Sequence, residues 1–489
     1  MTNGATETDG PIGVEVLSFS KLFRDSPLPL AVDTYQRDFI WDDEKIRQLA
    51  HDLTDYQKSP APSPPYYMGT VLVHCHREKN KRFIIDGQQR LTALCVLYYG
   101  LMGNLPAHCE LAYSPKSARR IRSAARLFSA SPNIPDSAVF EQIEFTVIWV
   151  DRADMAFTFF DTQNNRGVRL HATDLLKAYH LRAVNGATMD RKEDLQTLCA
   201  QRWEATQQGE PVMSHEQEFA PSLFSKFLWR ARNWTASRVM RGGHDELMEE
   251  FQKQTTKSDG DHDTIPLYRS RHNRLGTALT FKRDGDFEIH TSRISLSPRA
   301  DGLPFAIRQP IQAGIGFFLY AEKYAALLRR LVGPSVEVQR FREVYEKILM
   351  ANSVFLREGF LLAALMYMDQ FDDERLWEFS LWLEYSLGAI RVDKQQVRYE
   401  TAKNFFKSDA ATLNLLDVIA GGYCPQQVIA HLQRNQEQQG IYKKETIGSG
   451  KGVQGIYKQA VLSYYDRPGW PSLGDKHIWI HEKLKGGGM

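Results

Sequence analysis

Residues 83–94 read FIIDGQQRLTAL. Phe83 to Asp86 read as a buried strand, and Asp86-Gly87 as a tight-turn pair in which Gly takes a positive φ without steric cost. Leu91, Leu94, Leu97 and Tyr98 then recur at helical spacing, so a helix follows at once. A strand, a Gly turn and a helix N-terminus make an anion site, because backbone N–H groups and the helix dipole point the same way. Into that turn the sequence places Asp86, Gln88, Gln89 and Arg90. Five consecutive residues that are polar or Gly, between two apolar elements, point to phosphate chemistry. The alternative is a polar strand-to-helix turn whose Arg forms a salt bridge elsewhere.

Outward from this turn, Met68–His74 and Arg82–Ile85 flank the charged stretch REKNK and read as a β-hairpin. The Pro-rich KSPAPSPPYY at 58–67 is a loop. Ile46, Leu49 and Leu53 share one face of a helix over 44–56, and Val14–Leu22 reads as a strand running into a helix. Phe145–Val150 is a further strand, Phe157–Thr162 a helical turn, and Asp174–Ala183 a helix with Thr173 or Asp174 as its cap, Asp174 otherwise lying in the first turn. Asn164, Asn165, Arg166 and Gly167 form a second polar turn, whose Asn and Gly tolerate a left-handed backbone and whose Arg can clamp a phosphate.

Two other segments resemble the family that the central stretch resembles. DGQQR followed by LTAL is similar to a motif of the bacterial restriction proteins of the GmrSD type. TYQRDFIWDDEKIRQLAHDL at 34–53 is similar to that family's Tyr-Gln-Arg box and the helix after its Trp, and FFDTQNNRGVRLHATDLLKAYHLR at 159–182 to its Asn-x-Arg-Gly and Asp-Leu-Leu-Lys box. The three occur in the family's order over roughly the first 180–230 residues. Asp33 departs from the family's Pro two residues before the Tyr, and His171 stands where a Ser or Thr cap is usual.

The resemblance implies an α+β, ParB/sulfiredoxin-like N-terminal domain that binds and hydrolyses a nucleoside triphosphate with Mg²⁺ or another divalent cation. Tyr35, Gln36 and Arg37 would line the nucleotide pocket or sense modified DNA. Gly87 and the amides after it would cradle phosphates. Arg90, with Arg37 or Arg166, would neutralise charge on the transferred group. Asp86 would hold the metal or orient water, and Gln88 or Gln89 would position the attacking water. Thr92, Asn164, Arg166 and Gly167 complete the expected nucleotide-binding set. The implied partners are DNA, including modified phage DNA, and a nuclease or other defence protein, with homo-oligomerisation open. A sensor that binds nucleotide or modified DNA without hydrolysis, and a stand-alone endonuclease, are the alternatives.

Across its 489 residues the chain carries 61 basic and 59 acidic residues, a net charge of +2, and is 43% apolar. Global charge announces no nucleic-acid binder, so DNA contact requires a local patch. The basic helix SARRIRSAARLF, with Arg119, Arg120, Arg122 and Arg126, suits a DNA backbone or a solvated face. Five scattered Cys form no CxxC pair, which argues against a disulfide framework or thiolate zinc site. Absence of a signal peptide and of a long apolar run gives a cytoplasmic expectation without membrane insertion. GSGKG at 448–452 departs from a Walker A loop at Glu445 and Gly452, and DGDHD at 259–263 lacks the later calcium-loop residues. RHNR at 271–274 and HIWIH at 477–481 hint at a His-based nuclease, the latter reading as a strand. The expected organisation is a disordered tail over 1–13, a nucleotide-binding domain over 14–235, a polar insertion or hinge over 236–302 with a strand near 287–294, and a mainly helical domain over 303–489. GIYK occurs twice, at 440–443 and 455–458.

Overall fold

The computed structural model describes residues 12–32, 39–60, 63–77, 79–111, 113, 115–130, 134–152, 155, 171–186, 188–207, 219–257, 264–268, 277–281, 287–291, 299–409, 413–434, 437–443 and 452–486. Two compact units divide the chain, Met1–Leu170 and His171–Met489.

The first unit runs β1 (Ile12–Ser18), α1 (Phe19–Arg24), β2 (Leu30–Val32), α2 (Asp43–Lys58), β3 (Tyr66–His76), β4 (Lys81–Asp86), α3 (Gln88–Met102), β5 (Cys109–Glu110), α4 (Pro115–Ala130), α5 (Val139–Gln142) and β6 (Ile143–Val150). Its six-stranded sheet has the order β1-β6-β3-β4-β2-β5. β3 and β4 form the expected antiparallel hairpin, while β2 lies parallel to β4 with Leu30, Ala31 and Val32 opposite Arg82, Phe83 and Ile84. Alternation along the strands sorts side chains to two faces. Val71, Val73, Ile84, Phe145 and Val147 join the buried residues of α1–α4 in the main core, whereas Leu72, Ile85 and Val150 make a small cluster apart from it.

This topology positions the central turn. Because β2 and β4 are parallel neighbours, their carboxyl ends lie at the same edge of the sheet, where open α/β sheets commonly bind ligands. The Asp86-Gly87 turn leaves β4 at that edge, beside the end of β2 at Val32.

The second unit is mainly helical, with long helices at Met189–Gln207, Ile315–Val332, Val354–Phe371 and Leu376–Asp393. The α+β first unit and helical second unit are those expected. Five details differ. Strand β1 already begins at Ile12, inside the expected tail. The first compact unit ends at Leu170, ahead of the boundary expected at 235. The helix Ala172–Ala183 packs within the second unit: His180 stacks on Phe317 with ring centroids 3.7 Å apart and contacts the Phe251 carbonyl through Nε2 at 2.7 Å. Thr173 does not cap that helix; its hydroxyl is buried without a hydrogen-bond partner, and His171 occupies the cap position. HIWIH lies in the helix Lys476–Gly486, because Lys476, Trp479 and Ile480 bury at i, i+3, i+4 spacing while Ile478 is exposed. A five-residue window of alternating residues could not distinguish the two periods. The expected strand near 287–294 is present as β8 (Phe287–Thr291), paired antiparallel with β7 (Thr277–Phe281).

No helix among the described residues is long and apolar enough to cross a membrane. Phe157–Thr162, the acidic 259–263 and RHNR 271–274 lie outside the described residues, as do 448–451 of GSGKG.

Candidate functional site

Gly87 sits at φ +92° as the cap residue of α3. An added Cβ there would stand 3.0 Å from Val71 Cγ2 and 3.4 Å from Val71 Cα, so both backbone angle and space demand Gly. The helix it opens is 15 residues long and has no acidic residue in its first turn. Its N-terminal dipole end is therefore not neutralised by its own side chains, which suits an anion.

Arg90 turns back onto β3. Its Nη1 donates to the Met68 carbonyl at 2.8 Å and its Nη2 to the Thr70 carbonyl at 2.7 Å. Between those carbonyls lies Gly69 at φ +102°, where pairing of β3 with β6 changes register. An added Cβ on Gly69 would fall on Arg90 Nη1. The guanidinium thus clamps a β-bulge, and Gly69 leaves room for it. A guanidinium has five N–H donors, so two bonds leave three for other acceptors. Its side chain stays 27% exposed, and the 39% exposed Asp86 carboxylate lies 3.9 Å away.

The other polar residues of the turn face inward. Gln89 Oε1 accepts from the Ile40 N–H at 2.8 Å. Ser117 Oγ accepts from Phe39 N–H at 2.9 Å, and Arg120 Nη1 donates to the Ile40 carbonyl at 2.7 Å. These three side chains hold the backbone that follows the Tyr-Gln-Arg box against α3 and α4. Arg120 is therefore a framework residue, while Arg119, Arg122 and Arg126 of the same helix are exposed. Thr92 is buried and donates to the Gln88 carbonyl at 2.7 Å, and its hydroxyl also meets that of Tyr113. Gln88, also buried, hydrogen-bonds Tyr113, whose phenol is pushed up from its usual range chiefly by burial.

Of the expected site residues, Asp86, Gly87, Gln88, Gln89, Arg90 and Thr92 come together at this turn, with Asp86 and Arg90 partly exposed and Gln88, Gln89 and Thr92 buried. Tyr35, Gln36, Arg37, Asn164, Arg166 and Gly167 lie outside the described residues. Among the described residues, no three His, Cys, Asp or Glu side chains gather as a metal site.

Sequence reasoning missed Tyr67, Gly69 and Ser117. Tyr67 is 58% exposed, its hydroxyl lies 2.9 Å from Thr146 Oγ1, and its phenol is lowered by hydrogen bonds to Thr146 and Thr70, with a smaller contribution from Arg90. A Gly inside a strand pattern, as in YYMGTVLV, is the available signal for the bulge.

Residues 19–181 match the family model of the GmrSD restriction endonuclease N-terminal domain. Residues 195–449 match the model of a family of unknown function (DUF7834). No curated protein matches the chain.

Proposed function

We infer, for a chain that belongs to the DUF7834 family and carries a GmrSD-type restriction domain ahead of the matched region, that the first unit binds and hydrolyses a nucleoside triphosphate to control DNA targeting or a nuclease partner in an anti-phage restriction system. The observation that supports this most is the Gly87 turn: a left-handed Gly, tightly packed on Val71, opens a 15-residue helix at the carboxyl ends of two parallel strands. In this reading the first-turn amides of α3 receive phosphate oxygens.

Arg90 has two tasks: it holds the bulge and offers its remaining donors to the transferred phosphoryl group. Asp86 is the carboxylate at the turn and would bind Mg²⁺ carried by the triphosphate. One or two protein carboxylates suffice for such an ion, since phosphate oxygens and water supply the rest. The buried Gln88, Gln89 and Thr92 position the turn. Water activation falls to Asp86, or to the Tyr-Gln-Arg and Asn-x-Arg-Gly boxes. The exposed ring of Tyr67 is suited to stack on a base.

Purified full-length chain with Mg²⁺ and each of the four ribonucleoside triphosphates tests the reading. Release of inorganic phosphate from at least one is expected, and no binding by calorimetry to folded protein would overturn it. Binding without release would favour the second reading, a nucleotide or modified-DNA sensor. The inward-facing Gln88 and Gln89 are the observation on its side, since neither is exposed to orient a water.

A further inference from the structure

Cys95 on α3 and Cys109 on β5 place their sulfurs 3.9 Å apart. Cys75, Cys199 and Cys424 are likewise free thiols. The two sites differ in kind. Cys95 is 3% exposed within the core, whereas Cys109 is only partly buried. Burial raises the Cys95 thiol. The Cys109 thiol is lowered, chiefly by its hydrogen bond with the Cys95 sulfur and further by one with the Leu111 backbone. No third ligating side chain among the described residues converts the pair into a metal site.

The geometry points to Cys95 and Cys109 as a peroxide-oxidisable dithiol that closes to a disulfide between α3 and β5 and thereby alters the turn at Gly87–Arg90. In the first step the Cys109 thiolate attacks a peroxide oxygen; the O–O bond breaks, Cys109 becomes a sulfenic acid and hydroxide leaves. In the second the Cys95 sulfur attacks the sulfenic sulfur, the S–O bond breaks, and the departing oxygen takes the Cys95 proton and leaves as water. Two thiols and one peroxide thus give one disulfide and two waters. The sulfurs must close to about 2.05 Å, a movement of roughly 2 Å shared between two side chains and the short edge strand.

The turn feels this closure through a contiguous set of contacts. Thr92 lies one helical turn before Cys95, and Tyr113 follows Cys109 by four residues. The Tyr113 hydroxyl meets Thr92 and Gln88, the buried pair under the turn. Drawing β5 towards α3 moves Tyr113 against Thr92.

The disulfide itself stands independently of the proposed nucleotide chemistry; its effect on turnover rests on that reading. The full chain is treated with a modest excess of hydrogen peroxide, alkylated, and digested without reductant. A linked peptide pair containing Cys95 and Cys109, lighter by two hydrogen atoms than the reduced pair, is expected. So is a rise in thermal midpoint of about 5 °C that dithiothreitol reverses. Both changes should vanish in Cys109→Ser and in Cys95→Ala, each checked for folding by its own reduced midpoint. Where phosphate release is measurable, oxidation should slow it roughly tenfold or more, reversibly. Sulfinic acid on Cys109 without a cross-link, or both thiols remaining alkylatable, would overturn the proposal. A disulfide with unchanged turnover would overturn its coupling to the turn. A chain without turnover in either state would count against the nucleotide reading, leaving linkage and midpoint to decide the dithiol.

Discussion

Arg90 and Gly69 act as a pair. The guanidinium satisfies two carbonyls of a bulge that exists because Gly69 takes φ +102° and carries no Cβ. Arg90→Ala should therefore lower stability by about 1–2 kcal/mol, the cost of leaving two partly buried acceptors without donors, and also reduce nucleotide turnover on the order of 10²-fold if the remaining donors serve the phosphoryl group. Arg90→Lys should recover little, because a single ammonium cannot reach two carbonyls with a planar fork. Gly69→Ala should reproduce the stability loss by displacing the same guanidinium. Thermal midpoint and phosphate release measured on each sample separate the two tasks: a lower midpoint with normal turnover would reduce Arg90 to a clamp. Gly87→Ala faces a strained left-handed backbone worth about 1–2 kcal/mol, together with the Val71 contact, and should lose both folding stability and phosphate binding.

At the scale of elements, the repeated GIYK has a physical use. The hydroxyls of Tyr442 and Tyr457, one from each copy, converge on Lys476 Nζ at 3.2 and 2.8 Å. That ammonium also pairs with Glu384 of the helix Leu376–Asp393 at 2.7 Å, and both charged side chains are fully buried. Gly388, inside the same helix, is where an added Cβ would collide with the two hydroxyls. The helices Glu437–Tyr442, Val453–Tyr464 and Lys476–Gly486 are thus tied to one point. Lys476→Met leaves Glu384 as an uncompensated buried carboxylate and should cost about 3–5 kcal/mol, whereas the double variant with Glu384→Leu should recover much of it. Urea midpoints of the two variants measure this; a single variant as stable as the parent would refute the tie.

Across the whole molecule, burial sets the limits in pH. Tyr324, Tyr442, Tyr457 and Tyr465 are raised well above the usual phenol range, chiefly by burial. Their stabilisation is full below about pH 10, the unfolded value, and declines above it as the unfolded chain loses protons that the folded one keeps. Lys476, lowered by burial, works in the opposite sense: its contribution is present above the ordinary Lys value and falls as pH drops below it. His180 is pushed down to about 3, again by burial. Its contribution is present above the unfolded His value of about 6.5 and is lost progressively as pH falls towards 3. The thermal midpoint of the full chain should accordingly be highest between about pH 6.5 and 10. Tyrosinate absorbance from these residues should appear only together with unfolding; early ionisation in folded protein would contradict their burial.

The sequence by itself determined what short-range chemistry dictates. Asp86-Gly87 with an apolar strand before it and Leu91, Leu94 and Leu97 after it can only be a strand, a left-handed turn and a helix. The boxes around it were sufficient to identify the restriction-type domain. Tertiary structure decided where the polar side chains point. Gln89 reaches Ile40 across 49 residues, Arg90 reaches the β3 bulge 20 and 22 residues back, and Lys476 meets Glu384 across 92. A hydrogen bond requires closeness in space, whereas periodicity reports only on neighbours along the chain. For the same reason HIWIH read as a strand until the burial of Lys476, Trp479 and Ile480 on one face made it a helix.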